Sequence, residues 1–470
     1  MQSHKKLNWP KMLAQLEDVD KNHQQTKDLP KWHFANIRRI REGGFTKPDE
    51  IYHAIIIATY NESRDVLEPT IKSVLASHYD MDKVVFVLAY EERGGEQVED
   101  QAKALIRDYE NKFGHAFAVK HPKDLANEVV GKGGNITFAA RKLESFLKTK
   151  KIEPKHVIVT TLDADNRPHV NYLAALTYTF LVSPDPIHVS YQPVPEFTNN
   201  IWDVPAPMRV VATGNSFWNI ILSLRPHMLR NFSSHAQSMQ ALIETDYWSV
   251  RTIVEDGHQF WRSYFAFEGK YEVYPIYLPI YQDAVLSETY RKTLRAQFIQ
   301  MRRWAYGASD IAYVADKAWF TPNKIPKLDK LFKFLRLLES HISWSTAPLI
   351  LAFAAFIPAW FNPEDYASNQ LPLVASRIQT VAMVGILITF FLSVKTLPPK
   401  PKRYKRRRNV WMVLQWIYLP LTSIVYSSLA AINSQTRLLF GRYLDKFDVT
   451  EKTVKTDTGK TVTGHKDTND

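Results

Sequence analysis

Three stretches nearly free of charge, 344–361, 378–394 and 410–432, dominate the chain beyond residue 340, and they constrain its fold more than any other feature. A helix needs about 20 residues, with roughly 17–25 observed, to cross the hydrocarbon of a bilayer. Inside hydrocarbon the backbone must satisfy its own hydrogen bonds, so such a stretch is expected to be helical. Core helices of a soluble protein also give apolar runs, but the linkers favour a membrane. Residues 362–375 hold Glu364 and Asp365 and neither Lys nor Arg. Residues 395–408 hold Lys400, Lys402, Arg403, Lys405, Arg406, Arg407 and Arg408. Basic residues stay on the cytoplasmic side, so the first two stretches are expected to form a hairpin whose acidic loop faces outward. The third stretch carries Pro420 and is expected either to cross or to break there as a re-entrant or interfacial segment. The expected location is therefore a cell membrane, crossed more than once, with the preceding domain in the cytoplasm.

That preceding part alternates apolar β-forming runs, 52–58, 84–88, 157–161 and 187–194, with helical patterns at 66–77, 98–113 and 135–147. Such alternation predicts an α/β fold built on a mostly parallel sheet covered on both faces. In such sheets ligands sit at the carboxyl ends of strands, which singles out the polar residues there. The expected division is a polar, partly helical extension at 1–50, a catalytic α/β domain at 51–310 and an interfacial amphipathic segment at 311–340. A membrane region at 341–433 and a polar tail at 434–470 follow. There is no cysteine, which excludes disulfides, thiolate metal sites and cysteine nucleophiles. The net charge of +12 would suit nucleic acid, but much of the excess lies between two apolar stretches, where it sets topology. No nucleic-acid partner is expected.

Asp163-Ala164-Asp165 follows the run at 157–161. Two carboxylates so placed can hold Mg²⁺ or Mn²⁺ against a diphosphate, because hard cations take oxygen ligands. Asp18-Val19-Asp20 and Asp80-Met81-Asp82 have the same spacing and read as solvated turns. Glu255-Asp256 is a second acidic pair. Either carboxylate could accept a proton from an attacking hydroxyl, although acidic residues are also favoured at a helix N-terminus. Trp248, Phe260 and Trp261 give Asp256 a partly apolar setting, which would raise a carboxylate's pKa. Gln300, Arg303 and Trp304 lie on a basic stretch, where Arg can pair with phosphate and Trp can face a sugar ring or the membrane interface. Lys132-Gly133-Gly134-Asn135 precedes a helical pattern; the Lys can meet phosphate, and Asn135 reads as a helix cap. Ala58-Thr59-Tyr60-Asn61-Glu62 can cradle a nucleotide or serve as a turn.

In this order and spacing the motifs resemble the family 2 glycosyltransferases, the group of cellulose, chitin and hyaluronan synthases and ceramide glucosyltransferase, over about 52–446. The resemblance implies a GT-A, Rossmann-like domain followed by interfacial and transmembrane helices. It implies that Thr59, Tyr60, Glu62 and Lys132 line the nucleotide pocket, that Asp163 contacts the nucleotide and that Asp165, with Asp163, holds the metal. Asp256 would be the catalytic base with Glu255 beside it, and Gln300, Arg303 and Trp304 would border the acceptor and diphosphate. The loop from Phe232 to Gln237 falls where relatives place an acceptor-side loop. Many members have Asp-Asp-Gly after the second strand; here Ala89-Tyr90-Glu91-Glu92 stands there, and Glu91 is the nearest substitute.

The function so implied is inverting, metal-dependent transfer of a sugar from a UDP- or GDP-sugar to a polysaccharide or lipid acceptor at the cytoplasmic membrane face. The alternatives are a single-sugar glycolipid synthase of the same group and a non-catalytic module that binds membrane or nucleotide sugar. Two or three membrane helices are few for a polysaccharide channel, so a polymerase would need a homo-oligomer or a partner.

Overall fold

Strict alternation of side chains builds the centre of the molecule. In the computed structural model, which describes residues 1–43, 46–444, 453–455 and 461–463, the strands are β1 (Tyr52–Thr59), β2 (Val84–Glu91), β3 (His115–His121) and β4 (Val157–Asp163). They are followed by β5 (Arg167–Pro168), β6 (Ser190–Glu196), β7 (Ala236–Ser238) and β8 (Val273–Tyr281). All eight form one sheet in the order β3-β2-β1-β4-β7-β6-β8-β5. β1 to β4 run parallel, as do β6 and β8, while β7 is antiparallel to both β4 and β6. The expected α/β class with a mostly parallel sheet is present.

Along β1, Ile55 and Ile57 enter one core with Phe86, Leu88 and Tyr172. Ala54 and Ile56 enter the other, with Val85, Val87, Leu143 and Trp248. This period of two lets one strand feed both faces, and each fully buried Ile or Phe contributes about 1.5–3 kcal/mol. Helices Arg64–Leu75, Glu96–Tyr109 and Lys132–Lys150 make the crossovers between parallel strands. The segment 1–50 is not merely polar: Trp9, Met12, Leu16, Phe34 and Ile37 are buried in the first core.

Helix Lys327–Phe353 continues through a tighter turn into Ile357–Phe361, and Tyr366–Thr396 returns beside it. Gln379 Nε2 donates to the Leu351 carbonyl at 2.6 Å across this hairpin. Leu351, Trp360 and Phe361 face outward. The expected stretch 378–394 is helical, but many of its side chains lie outside the described residues. Among the described residues, Lys327–Phe361 and Arg407–Leu439 are long and apolar enough to cross a membrane. Arg407–Leu439 does not break at Pro420. It tightens to a 3-10 turn before the proline and widens to a π-turn over Ser423–Leu429 after it. Of the tail, the pair Thr453–Lys455 and Thr461–Thr463 is antiparallel, and the remainder beyond 444 lies outside the described residues.

Candidate active site

Parallel register gathers the strand ends. Ala58 on β1 is opposite both Ala89 on β2 and Asp163 on β4, so Thr59, Glu91 and Asp163 emerge along one edge. Helix Lys132–Lys150 begins at this edge. Gly133 permits its approach, since a Cβ there would lie 2.5 Å from the Ser249 carbonyl oxygen and 3.2 Å from Glu255 Cβ. Asn135 is not the helix cap it was expected to be, because the helix starts three residues earlier. Its Nδ2 instead donates to the carbonyls of Ala89 at 3.0 Å and Thr59 at 3.4 Å, tying β1 to β2.

Lys132 is the hub. Its Nζ lies 3.0 Å from Asp163 Oδ1, 3.2 Å from Asp256 Oδ2 and 3.9 Å from Glu255 Oε1. Burial disfavours the ammonium, but Asp163, Asp256 and Glu255 outweigh it and push its pKa above the usual lysine value. Glu255 and Asp256 occupy the first turn of helix Glu255–Ala266, so the expectation of a helix start is met as well. The deeply buried carboxylate of the pair is Glu255, 2% exposed, whereas Asp256 stays partly open. Burial first, and then Asp256, raise the pKa of Glu255 despite Lys132.

Two further contacts complete this wall. Ser233 Oγ donates to Asp163 Oδ2 at 2.6 Å. His235 is fully buried, with Nδ1 3.5 Å from Asp256 Oδ1. Its Nε2 accepts the Trp248 indole N–H at 3.1 Å, so Nδ1 carries the hydrogen and donates to the Phe232 carbonyl at 2.9 Å. Burial lowers the His235 pKa, in keeping with a neutral ring.

Asp165 is buried beside this cluster; its Oδ2 accepts from the Asp283 backbone N–H at 3.0 Å, and Asn199 Nδ2 donates to its carbonyl at 3.0 Å. Glu62 Oε2 accepts from Thr59 Oγ1 at 2.7 Å and from the Tyr60 N–H at 2.8 Å, which shapes the loop after β1. Glu91 pairs with Arg93, whose guanidinium lies 4.0 Å over the Tyr60 ring. Asp80 and Asp18 accept backbone N–H groups of Asp82 and Lys21, the local turns expected of them.

Gln300 and Trp304 stand on another wall. Both belong to helix Tyr290–Ala305, as does Arg303. Trp304 packs 5.9 Å from Phe197, at the end of β6, and Gln300 accepts from Gln297 at 3.3 Å. Neither bonds to the Lys132 cluster. A groove of about 490 Å³ along the sheet edge, between Phe117, Phe138 and Phe146, has no carboxylate and is not this site.

Sequence reasoning missed Ser233, His235, Arg93, Asp283 and Asn199 as site residues. Only the loop containing Ser233 and His235 gave a signal, through its place in the motif order.

No family model matches the sequence, and no curated protein is similar to it. Among the solved structures that it resembles are glycosyltransferases. The mannosyltransferase PcManGT from Pyrobaculum calidifontis, in complex with GDP-Man and Mn²⁺, is 14% identical, with a TM-score of 0.49 over 93% of this chain and 100% of that one. S. aureus TarS 1–349 in complex with UDP-GlcNAc is 13% identical, with a TM-score of 0.39 over 89% of this chain and 98% of that one.

Proposed function

We propose that this chain is a membrane-bound, inverting GT-A glycosyltransferase that moves a sugar from a UDP- or GDP-sugar to a glycan or lipid acceptor at the cytoplasmic face. The observation that carries this is the convergence of Asp163, Glu255 and Asp256 on Lys132 at the carboxyl edge of the parallel strands.

Asp163 and Asp165 fit Mg²⁺ or Mn²⁺, which use one or two carboxylates plus substrate phosphates. Among the described residues no group of three His, Cys, Asp or Glu could hold an ion, so diphosphate oxygens would complete the shell. When bound, such an ion neutralises charge on the leaving diphosphate. Thr59, Tyr60, Glu62 and Glu91 border the nucleotide, and Lys132 meets its phosphates. Arg303 faces the diphosphate, with Gln300 and Trp304 toward the acceptor.

Asp256 takes the proton from the acceptor hydroxyl as that oxygen bonds to the anomeric carbon and the bond from this carbon to the phosphate oxygen breaks. Inversion gives a β-linked product from an α-linked donor. Glu255, biased toward its protonated form, leaves Asp256 as the proton acceptor.

The decisive experiment supplies the purified protein in lipid with a panel of sugar nucleotides and Mg²⁺ or Mn²⁺, and measures released nucleotide and transferred sugar. Release with at least one UDP- or GDP-sugar is expected. No binding and no release across the panel would overturn the proposal in favour of a non-catalytic membrane module. For the metal, calorimetry on Asp165→Asn should show loss of Mn²⁺-dependent donor binding with the fold retained.

A further inference from the structure

We infer that helix Arg407–Leu439 does not cross the membrane but lies along its surface, held to the catalytic domain near both ends, with one apolar stripe in the headgroup–acyl boundary. This rests on the membrane reading above, and it concerns a segment that composition alone admits as a span. The helix has 33 residues, about 50 Å at 1.5 Å per residue. A crossing element of that length would put its ends on opposite sides of about 30 Å of hydrocarbon.

Its ends do not separate in that way. Ahead of its first turn, Arg403 Nη2 donates to both carboxylate oxygens of Asp203, at 2.7 and 2.9 Å. Arg408 Nη2 donates to the Trp202 carbonyl at 2.6 Å. Further along, Arg209 of helix Ala206–Ser223 hydrogen-bonds Gln415. Toward the far end, Tyr426 and Ala430 are buried in one cluster with Met208, Trp202 and Met301. Just past that end, the Leu444 N–H donates to Tyr306 Oη at 3.4 Å. Trp202 and Tyr306 both belong to the catalytic domain, so that domain grips the helix from before its start to beyond its finish.

The other face is unpartnered. Val410, Leu414, Ile417 and Leu421, spaced by four, three and four residues, are 58%, 53%, 81% and 58% exposed. That spacing is one helical stripe, and Met412, Gln415 and Thr422 on the opposite side are buried. Arg406 and Arg407 are exposed where the stripe begins, at the level of lipid headgroups. A lipid surface is the occupant because the stripe is apolar and exposed, because basic residues flank its start, and because the same helix is joined to the apolar helix Lys327–Phe353, where Gln435 Nε2 donates to the His341 carbonyl at 2.9 Å.

The native chain has no cysteine, so single cysteines can be placed in the full-length protein in sealed vesicles. An impermeant maleimide should label Lys405→Cys and Tyr443→Cys from the same side. A depth-sensitive fluorophore at Ile417→Cys should be quenched by headgroup-region quenchers, and one at Leu351→Cys by quenchers deep in the acyl chains. Labelling of Tyr443→Cys only from the side opposite Lys405→Cys would overturn the inference while leaving the hairpin intact. A Leu351→Cys probe that meets no lipid would overturn the membrane reading, and the inference with it.

Discussion

Two clusters of charge differ in their make-up. At the clamp ahead of helix Arg407–Leu439, Asp203 accepts two bonds from Arg403 and one from Tyr404 Oη at 2.6 Å. One carboxylate, one guanidinium and one phenol balance. At the strand edge, three carboxylates share Lys132. Stability alone favours the first arrangement, since buried charge is costly unless it is paired and hydrogen-bonded. The second buries Glu255 beside Asp256, so burial first and then the like charge raise its pKa, an arrangement typical of sites that bind ions or move protons. The first joins two distant segments of chain, and the second gathers carboxylates where the parallel strands end.

The largest effect that would sharpen this contrast is at Asp256. The change Asp256→Asn keeps shape but cannot take a proton, so sugar transfer should fall at least about a hundredfold while donor binding holds. Near-normal transfer at saturating donor would reduce the acidic cluster to a helix start. Next is Lys132→Met, which removes the ammonium that Asp163, Glu255 and Asp256 share. Removing one partner of a buried ion pair costs about 3–5 kcal/mol, so thermal stability at neutral pH should drop sharply and recover in part on acidification. An unchanged melting curve would mean the carboxylates are hydrated and the hub is not one.

The clamp should respond in a different way. In Asp203→Asn a charge-assisted network becomes neutral, with an expected loss of about 1–3 kcal/mol and no change in donor affinity. If donor affinity collapsed instead, the two clusters would be one functional unit. The smallest effect concerns pH. Because Glu255 has a raised pKa when folded, the folded state holds its proton longer than the unfolded state. Its contribution is therefore complete at low pH and declines as pH rises from the unfolded Glu range, about 4.3, through the raised folded value. Unfolding of Glu255→Gln followed against pH should lack that part of the decline; superimposable slopes would remove Glu255 as its source.

Much of this was legible in the sequence because burial on two faces leaves apolar runs. β1, β2, β4 and β6 declared themselves in that way. β3 did not: it is an edge strand whose residues are mostly half-buried, and His115, Lys120 and His121 dilute its signal. β8 was hidden by Pro275 and Pro279, which argue against a strand; the pairing with β6 shifts register between them, where Pro193 is opposite Ile276 and Val194 is opposite Pro279. Of the site, Lys132, Asp163, Glu255 and Asp256 could be named from motif order, and the fold brings these four together. The link from His235 to Trp248 and the bonds of Asn135 to two strand ends could not be named. Side-chain identity carries no record of which distant atom a group will meet.

The imidazole of His235 has a consequence for how turnover would vary with acidity. With one nitrogen occupied by an indole and the other by a carbonyl, the ring has no lone pair left to take up a proton without breaking a bond to Trp248. It is a fixed wall of neutral dipole, in contact with the aspartate yet silent to titration near neutrality. His235 would therefore contribute nothing to an acid limb in the rate profile, and His235→Asn, if it folds, should not move that limb's midpoint.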